Sequence, residues 1–192
     1  METKTRNGEK MIYVLVALKG ELPENKLDPE KFKVWYTGVG KINATVSAML
    51  AVNQPDCERI INFGTAGTLA PELNGKLLEV GAVRQRDMDA RPQAPLGMTP
   101  FETTEIAGDI TLNPDSKVIL SSGDNFVKAP PELRSHLVDM EGYAIAKVGM
   151  MFNKPTTLIK YASDMADEEA PKTWEENQAN GAELFLDLLK TV

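Results

Sequence analysis

The order of segments in this chain predicts an α/β fold: a single domain with a central mixed β-sheet flanked by helices. Three observations carry that expectation. Apolar runs rich in β-formers at residues 11–18, 59–63 and 156–161 read as strands, and the continuous first run has the pattern of a strand covered on both faces. In the first and last thirds such runs alternate with segments of helical periodicity, the signature of parallel strands joined by crossover helices. In the middle third strand-like segments cluster with no helix between them, which makes the sheet mixed.

Composition narrows the function before any motif is read. The 192 residues are most simply one domain, spanning 11–192, with a polar and disordered tail at 1–10. At 42% hydrophobic residues the chain can bury a substantial core. The net charge is −7 and no stretch concentrates Lys and Arg, so neither a nucleic-acid footprint nor a polybasic membrane patch is expected. The run at 11–18 is too short to span a bilayer, and Lys19-Gly20-Glu21 after it lacks a signal-peptidase pattern. One cysteine, Cys57, allows no internal disulfide and fits a reducing compartment, so a cytoplasmic protein is expected. With His136 as the lone histidine, no zinc site of the usual ligand set can be assembled.

Residues 11–18 and 34–37 read as strands. Gly38-Val39-Gly40-Lys41 then opens a helix in which Ile42, Val46, Met49 and Leu50 share one face, the stripe a helix turns toward a core. Residues 59–63 form a strand leading into Gly64-Thr65-Ala66-Gly67. Residues 77–85 form another, with a candidate bulge at Gly81. Residues 87–102, broken by Pro92, Pro95 and Pro100, are irregular; a loop of that length in a compact domain is usually functional or mobile. Strands follow at 103–111, 117–121 and 136–140. A helix at 141–152 places Ile145, Val148 and Phe152 together. After the strand at 156–161, one long helix at 172–190 packs Trp174, Phe185, Leu188 and Leu189.

Three acids fall at strand ends: Glu21 after the first strand, Glu141 at a strand-to-helix junction, and Asp164 at the close of Leu158-Ile159-Lys160-Tyr161-Ala162-Ser163-Asp164. In open α/β sheets the carboxyl edge is where ligands bind, so these acids predict one site. Each also has an ordinary reading, because Asp139, Glu141 and Asp164 could simply start helices. The glycines are equally ambiguous. Gly38-Val39-Gly40-Lys41 fails as a phosphate loop, having Trp35 where a glycine is needed and Ile42 in place of Ser or Thr. It reads better as a strand-to-helix turn. Gly64-Thr65-Ala66-Gly67 is either a tight turn or a loop that lets a ligand approach the backbone.

Taken together, Gly38-Val39-Gly40-Lys41, Asn62-Phe63-Gly64-Thr65-Ala66-Gly67, Ser122-Gly123-Asp124-Asn125-Phe126, Asp139-Met140-Glu141-Gly142 and Ser163-Asp164 occur in the order seen in the nucleoside phosphorylase and nucleosidase superfamily. The chain most resembles the 5'-methylthioadenosine/S-adenosylhomocysteine nucleosidases within it. The resemblance implies a three-layer αβα fold and cleavage of the N-glycosidic bond of an adenine nucleoside, with no cofactor or metal. Glu21 would activate water. Asp164, positioned by Ser163, would serve the purine N7 and N6. Glu141 would hold the ribose hydroxyls with Met140 packed on the sugar. Phe126 would stack on the base beside the Val127 backbone, and Ala66 and Gly67 would line the pocket. The family is usually dimeric, which implies a homodimer in which residues 87–102, with Met98 and Phe101, contact the partner.

The chemistry suits those residue types. The departing adenine needs a proton, so an acid with its pKa raised by burial is required, while a second carboxylate deprotonates water across the sugar. A third accepts two hydroxyl hydrogen bonds at once. Phosphorolysis would need a phosphate seat, and Asn62 stands where the phosphorylase branch has arginine; Arg84 or Arg86 could still supply one. Water is therefore the expected nucleophile, with a phosphorylase and a non-catalytic nucleoside-binding protein as the alternatives. Asp139 where the family often has Glu, the bulk of Tyr143, and the short stretch 85–117 are departures that leave the accepted 5'-substituent open.

Overall fold

The computed structural model describes residues 10–102 and 107–191, apart from the side chains of Pro171, Thr173 and Glu175. The expected α/β architecture with a mixed sheet is what the chain adopts. Its strands are β1 (Met11–Val16), β2 (Phe32–Tyr36), β3 (Cys57–Thr68), β4 (Leu77–Glu79), β5 (Ala82–Gln85), β6 (Ile110–Thr111), β7 (Ile119–Ser122), β8 (Leu137–Asp139) and β9 (Thr156–Met165). Its helices are α1 (Lys41–Val52), α2 (Gly142–Met151), α3 (Ala170–Asn177) and α4 (Gly181–Leu189). The sheet runs β2-β1-β3-β8-β7-β5-β6, with β9 between β3 and β4. Pairings of β3 with β8, β4 with β9 and β5 with β6 are antiparallel, the rest parallel.

Period-two alternation along β1 divides the core. Met11, Tyr13 and Leu15 join Ala44, Ala48 and Ala51 of α1 and Ile145 and Val148 of α2 on one face. Ile12, Val14 and Val16 join Phe185 and Leu189 of α4 on the other. Phe63 stacks on Phe185 at a centroid distance of 4.2 Å, an anchor whose truncation costs about 3–5 kcal/mol.

Local expectations fail at several places, four of them for a clear physical reason. The strand at 77–85 is two strands that leave for different neighbours. A Cβ on Gly81 would sit 2.1 Å from the Ser116 carbonyl, so the backbones cross there and only glycine fits. Gly64-Thr65-Ala66-Gly67 is neither turn nor loop: β3 continues through it, paired with β9. The final helix breaks at residues 178–180, where the Asn177 amide donates to the Ser163 carbonyl at 3.1 Å and the Asn180 amide donates back to Asn177 at 2.9 Å. Trp174 thereby leaves the core, and Leu188 is exposed.

The fourth failure is the α1 stripe. Ile42, 75% exposed, lies with Val46, Met49 and Leu50 on the face turned away from the sheet, while alanines pack inward. Phe152 is exposed as well, beside Met150 and Met151. Of the predicted strand at 103–111, residues 103–106 lie outside those described, and only Ile110–Thr111 is strand. The tail at 1–9 lies outside them too. No helix among the described residues is long and apolar enough to cross a membrane.

Candidate active site

The carboxyl ends of β1, β3, β8 and β9 converge, and the three acids meet there. Glu21, Ala66, Gly67, Phe126, Val127, Met140, Glu141 and Asp164 line one cleft with a cavity volume of about 150 Å³. Ser163 stands behind it, its hydroxyl donating to Asp164 Oδ2 at 2.7 Å. Every site residue expected from sequence is thus in the cleft or touching a residue that is.

Backbone amides help hold Glu21 and Glu141. Beyond β1 the chain turns at Gly20, which brings Glu21 back under the strand end. Its Oε2 accepts from the Leu18 amide at 3.1 Å, and its Oε1 accepts from both the Thr65 amide and hydroxyl at 2.8 Å. A side chain on Gly64 would come within 3.3 Å of that Oε1, which is why a glycine stands in a buried strand here. Glu141 caps the start of α2, and its Oε1 accepts from the Gly40 amide at 2.8 Å. Gly38 and Gly40, both at positive φ, make the turn that aims that amide. The turn reading of this stretch holds, and the turn serves the site. Asp164 closes β9 at the point where the β3 register shifts, opposite Gly67.

Behind the acids lies a buried ion pair that sequence reading missed. Lys160 Nζ sits 2.9 Å from Asp139 Oδ2, with both side chains 1% exposed. Asp139 also accepts from the Ser122 hydroxyl at 2.5 Å and the Gly142 amide at 2.8 Å, so its helix-start role is real but secondary. Burial works to raise the Asp139 carboxyl; Lys160 and these donors outweigh it and hold the group below the ordinary aspartate range. Burial lowers Lys160, and the charges of Asp139 and Glu141 more than reverse that. A lysine inside an otherwise apolar strand run was the available signal.

The cleft-facing acids go the other way. Burial, then the charge of Asp139, lifts Glu141 to about 7 against the pull of Lys160 and the Gly40 amide, with Glu21 adding to the rise. Burial raises Asp164 too, with Ser163 opposing and Asp167 reinforcing. Arg86 lines the cleft, yet its terminal nitrogens donate to the carbonyls of Ser121, Asp139, Gly123 and Asn125 at 2.7–2.9 Å. It clamps the ends of β7 and β8 together. Arg84 is tied to Asp109 and to the Arg134 carbonyl. Trp174, expected in the core, closes the cleft from α3, edge-on to Phe126 at a centroid distance of 6.0 Å.

Chemically, the cleft offers a buried acid with a raised pKa, a carboxylate held by three donors, and a second carboxyl with one oxygen that has no hydrogen-bond partner among the described residues. Known proteins share its frame. Residues 116–192 match the family model described as Phosphorylase superfamily. A 5'-methylthioadenosine/S-adenosylhomocysteine nucleosidase from Marinomonas sp. is 32% identical, over 73% of this chain and 71% of that protein. One from Maridesulfovibrio salexigens is 30% identical, over 80% of this chain and 78% of that protein.

The chain belongs to this nucleosidase family of the phosphorylase superfamily.

The family fold extends over almost the whole chain. The Helicobacter pylori nucleosidase of the same name, in a structure with a bound small molecule, superposes with a TM-score of 0.83 at 22% identity, covering 96% of this chain and 98% of that one. Helicobacter pylori futalosine hydrolase superposes at 0.82 and 22% identity, covering 94% and 97%.

Proposed function

We propose that this chain hydrolyses the N-glycosidic bond of an adenine nucleoside, 5'-methylthioadenosine, S-adenosylhomocysteine or a near relative, to adenine and the ribose product. The observation that carries this reading is the meeting of Glu21, Glu141 and Asp164 in one cleft. Its family relatives bear that activity in their names.

Burial shifts Asp164 toward its protonated form, from which it hands a proton to the purine as the bond to the sugar breaks. Glu21, oriented by Leu18 and Thr65, takes a proton from the attacking water. Glu141 grips the ribose hydroxyls with the oxygen that Gly40 leaves free, while Met140 packs on the sugar. Phe126 stacks on the base with Val127 beside it, and Ala66 and Gly67 let the nucleoside lie close to β3. Acid and base each contribute about 10²–10⁴-fold, and both come from the chain, so the chemistry calls for no metal or organic cofactor.

Water is favoured over phosphate because the nearby guanidinium groups are engaged. Arg86 spends its terminal donors on four carbonyls, and the Asn62 amide donates to the Leu15 carbonyl at 3.0 Å. We further propose a cytoplasmic homodimer with a small-molecule substrate and neither nucleic acid nor membrane as partner. The stripe of Ile42, Val46, Met49 and Leu50, with Met150, Met151 and Phe152 beside it, is an apolar face larger than isolated surface residues explain. Met98 and the 88% exposed Phe101 are likewise exposed on the loop expected to reach a partner.

The direct test is incubation with several adenine nucleosides in phosphate-free buffer, followed by chromatography for free adenine. Adenine released without phosphate supports hydrolysis. Turnover that requires phosphate would make the chain a phosphorylase, and binding without turnover a nucleoside carrier. For assembly, sedimentation should give twice the chain mass, and Ile42→Asp should halve it.

A further inference from the structure

Trp174 is the cleft residue that neither the periodicity of its helix nor the proposed chemistry accounts for. Its indole Nε1–H donates to Thr65 Oγ at 2.8 Å. The Thr65 hydroxyl in turn donates to Glu21 Oε1 at 2.8 Å, the same oxygen that accepts the Thr65 amide. A hydroxyl has one hydrogen and can face either neighbour, but indole can only donate. With Trp174 filling an acceptor position on Oγ, the hydroxyl hydrogen has one direction left, toward Glu21.

The geometry points to Trp174 as a positioning residue for the hydrolytic base: through Thr65 it fixes the direction of the hydrogen-bond chain that ends on Glu21. This rests on Glu21 acting as the base. It makes the base's alignment depend on α3 being docked over the cleft, since among the described side chains of α3 it is Trp174 that reaches β3 by a hydrogen bond. The same ring stands edge-on to Phe126, so one residue senses the base-stacking wall and the water-activating carboxylate.

Trp174→Phe separates this role from that of a mere wall, because the aromatic surface stays and the N–H goes. A neutral hydrogen bond of this kind predicts a kcat about 3–10-fold lower with KM within about twofold. Thr65→Val, which also removes a donor to a carboxylate, should cost more, about 10–100-fold in kcat. The double variant should be no worse than Thr65→Val alone, because both changes cut one chain. Wild-type kcat in Trp174→Phe, or losses that multiply in the double variant, would overturn the relay. Glu21→Gln separates the two layers of the argument. If it is inactive while Trp174→Phe is unaffected, the relay alone fails. If it retains full turnover, the role of Glu21 as base fails and the relay with it.

An optical readout independent of turnover follows from the count of two tryptophans. In a Trp35→Phe background Trp174 is the only indole, and saturating adenine should shift or quench its emission. Emission unchanged when adenine inhibits turnover would place Trp174 off the occupied cleft and overturn the proposal.

Discussion

The two ends of the sheet hold similar groups in opposite conditions. At the amino ends of β1, β2 and β3, Asp56 accepts from the Tyr13 hydroxyl at 2.9 Å and from Lys33 Nζ at 3.1 Å. Burial works to raise its carboxyl, and these donors outweigh burial and lower it. At the carboxyl ends, Asp139 is satisfied in the same way by Lys160. Two residues on, Glu141 is as buried but among the described residues has a single amide for a partner, and it rises to about 7. The difference teaches that burial alone does not mark a functional acid. What marks it is burial with bonding capacity left over, which costs stability until a ligand supplies the missing donors.

The sharpest break of that comparison is at Asp164. Asp164→Asn should lower adenine release by at least about a hundredfold while substrate affinity stays within about tenfold. Unchanged turnover would return Asp164 to the class of structural acids such as Asp56. Next in size, Glu141→Gln should raise KM for a ribonucleoside about tenfold or more and spare a 2',3'-dideoxy analogue. Because Glu141 grips best when ionised, KM of the wild-type chain should fall as pH rises through about 7. The proton on Asp164 imposes the opposite limb, with kcat falling at higher pH as that acid ionises.

Stability gives a smaller effect with a definite sign. In the unfolded chain a glutamate ionises at its ordinary value, while folded Glu141 holds its proton up to about 7. The folded state therefore binds more protons between those values, and stability drains away across that window as pH rises. Glu141→Gln removes the loss, so its melting temperature should exceed wild type at pH 8 and match it at pH 4. The gain is no more than about 3 kcal/mol. Asp56→Asn should do the reverse on the least scale. Its lowered pKa contributes stability above the ordinary aspartate value that fades as pH falls, so the variant should lose about 1 kcal/mol at pH 7 and nothing in turnover.

Much of this site was legible in the sequence because strand ends are. An apolar run followed by an acid fixes both the strand and the place where the acid leaves it, so Glu21, Glu141 and Asp164 could be assigned to one edge. What could not be read depends on contacts between distant segments. The apolar stripe of α1 has the same period whether it faces the sheet or the solvent, and only the alanines opposite it hint at which side packs closely. Trp174 belongs to an apolar helical pattern until Asn177 and Asn180 break that helix and turn it over the cleft. Lys160 was visible as an anomaly in a strand, but its partner Asp139 lies across the sheet.

Gly67 has one more consequence. A methyl group there would lie 3.0 Å from Asp164 Oδ1, 3.1 Å from Val138 and 3.2 Å from Ala166. Gly67→Ala would force Asp164, Val138 or Ala166 to give way, so the floor of the cleft leaves no room for even the smallest side chain beside the Asp164 carboxyl.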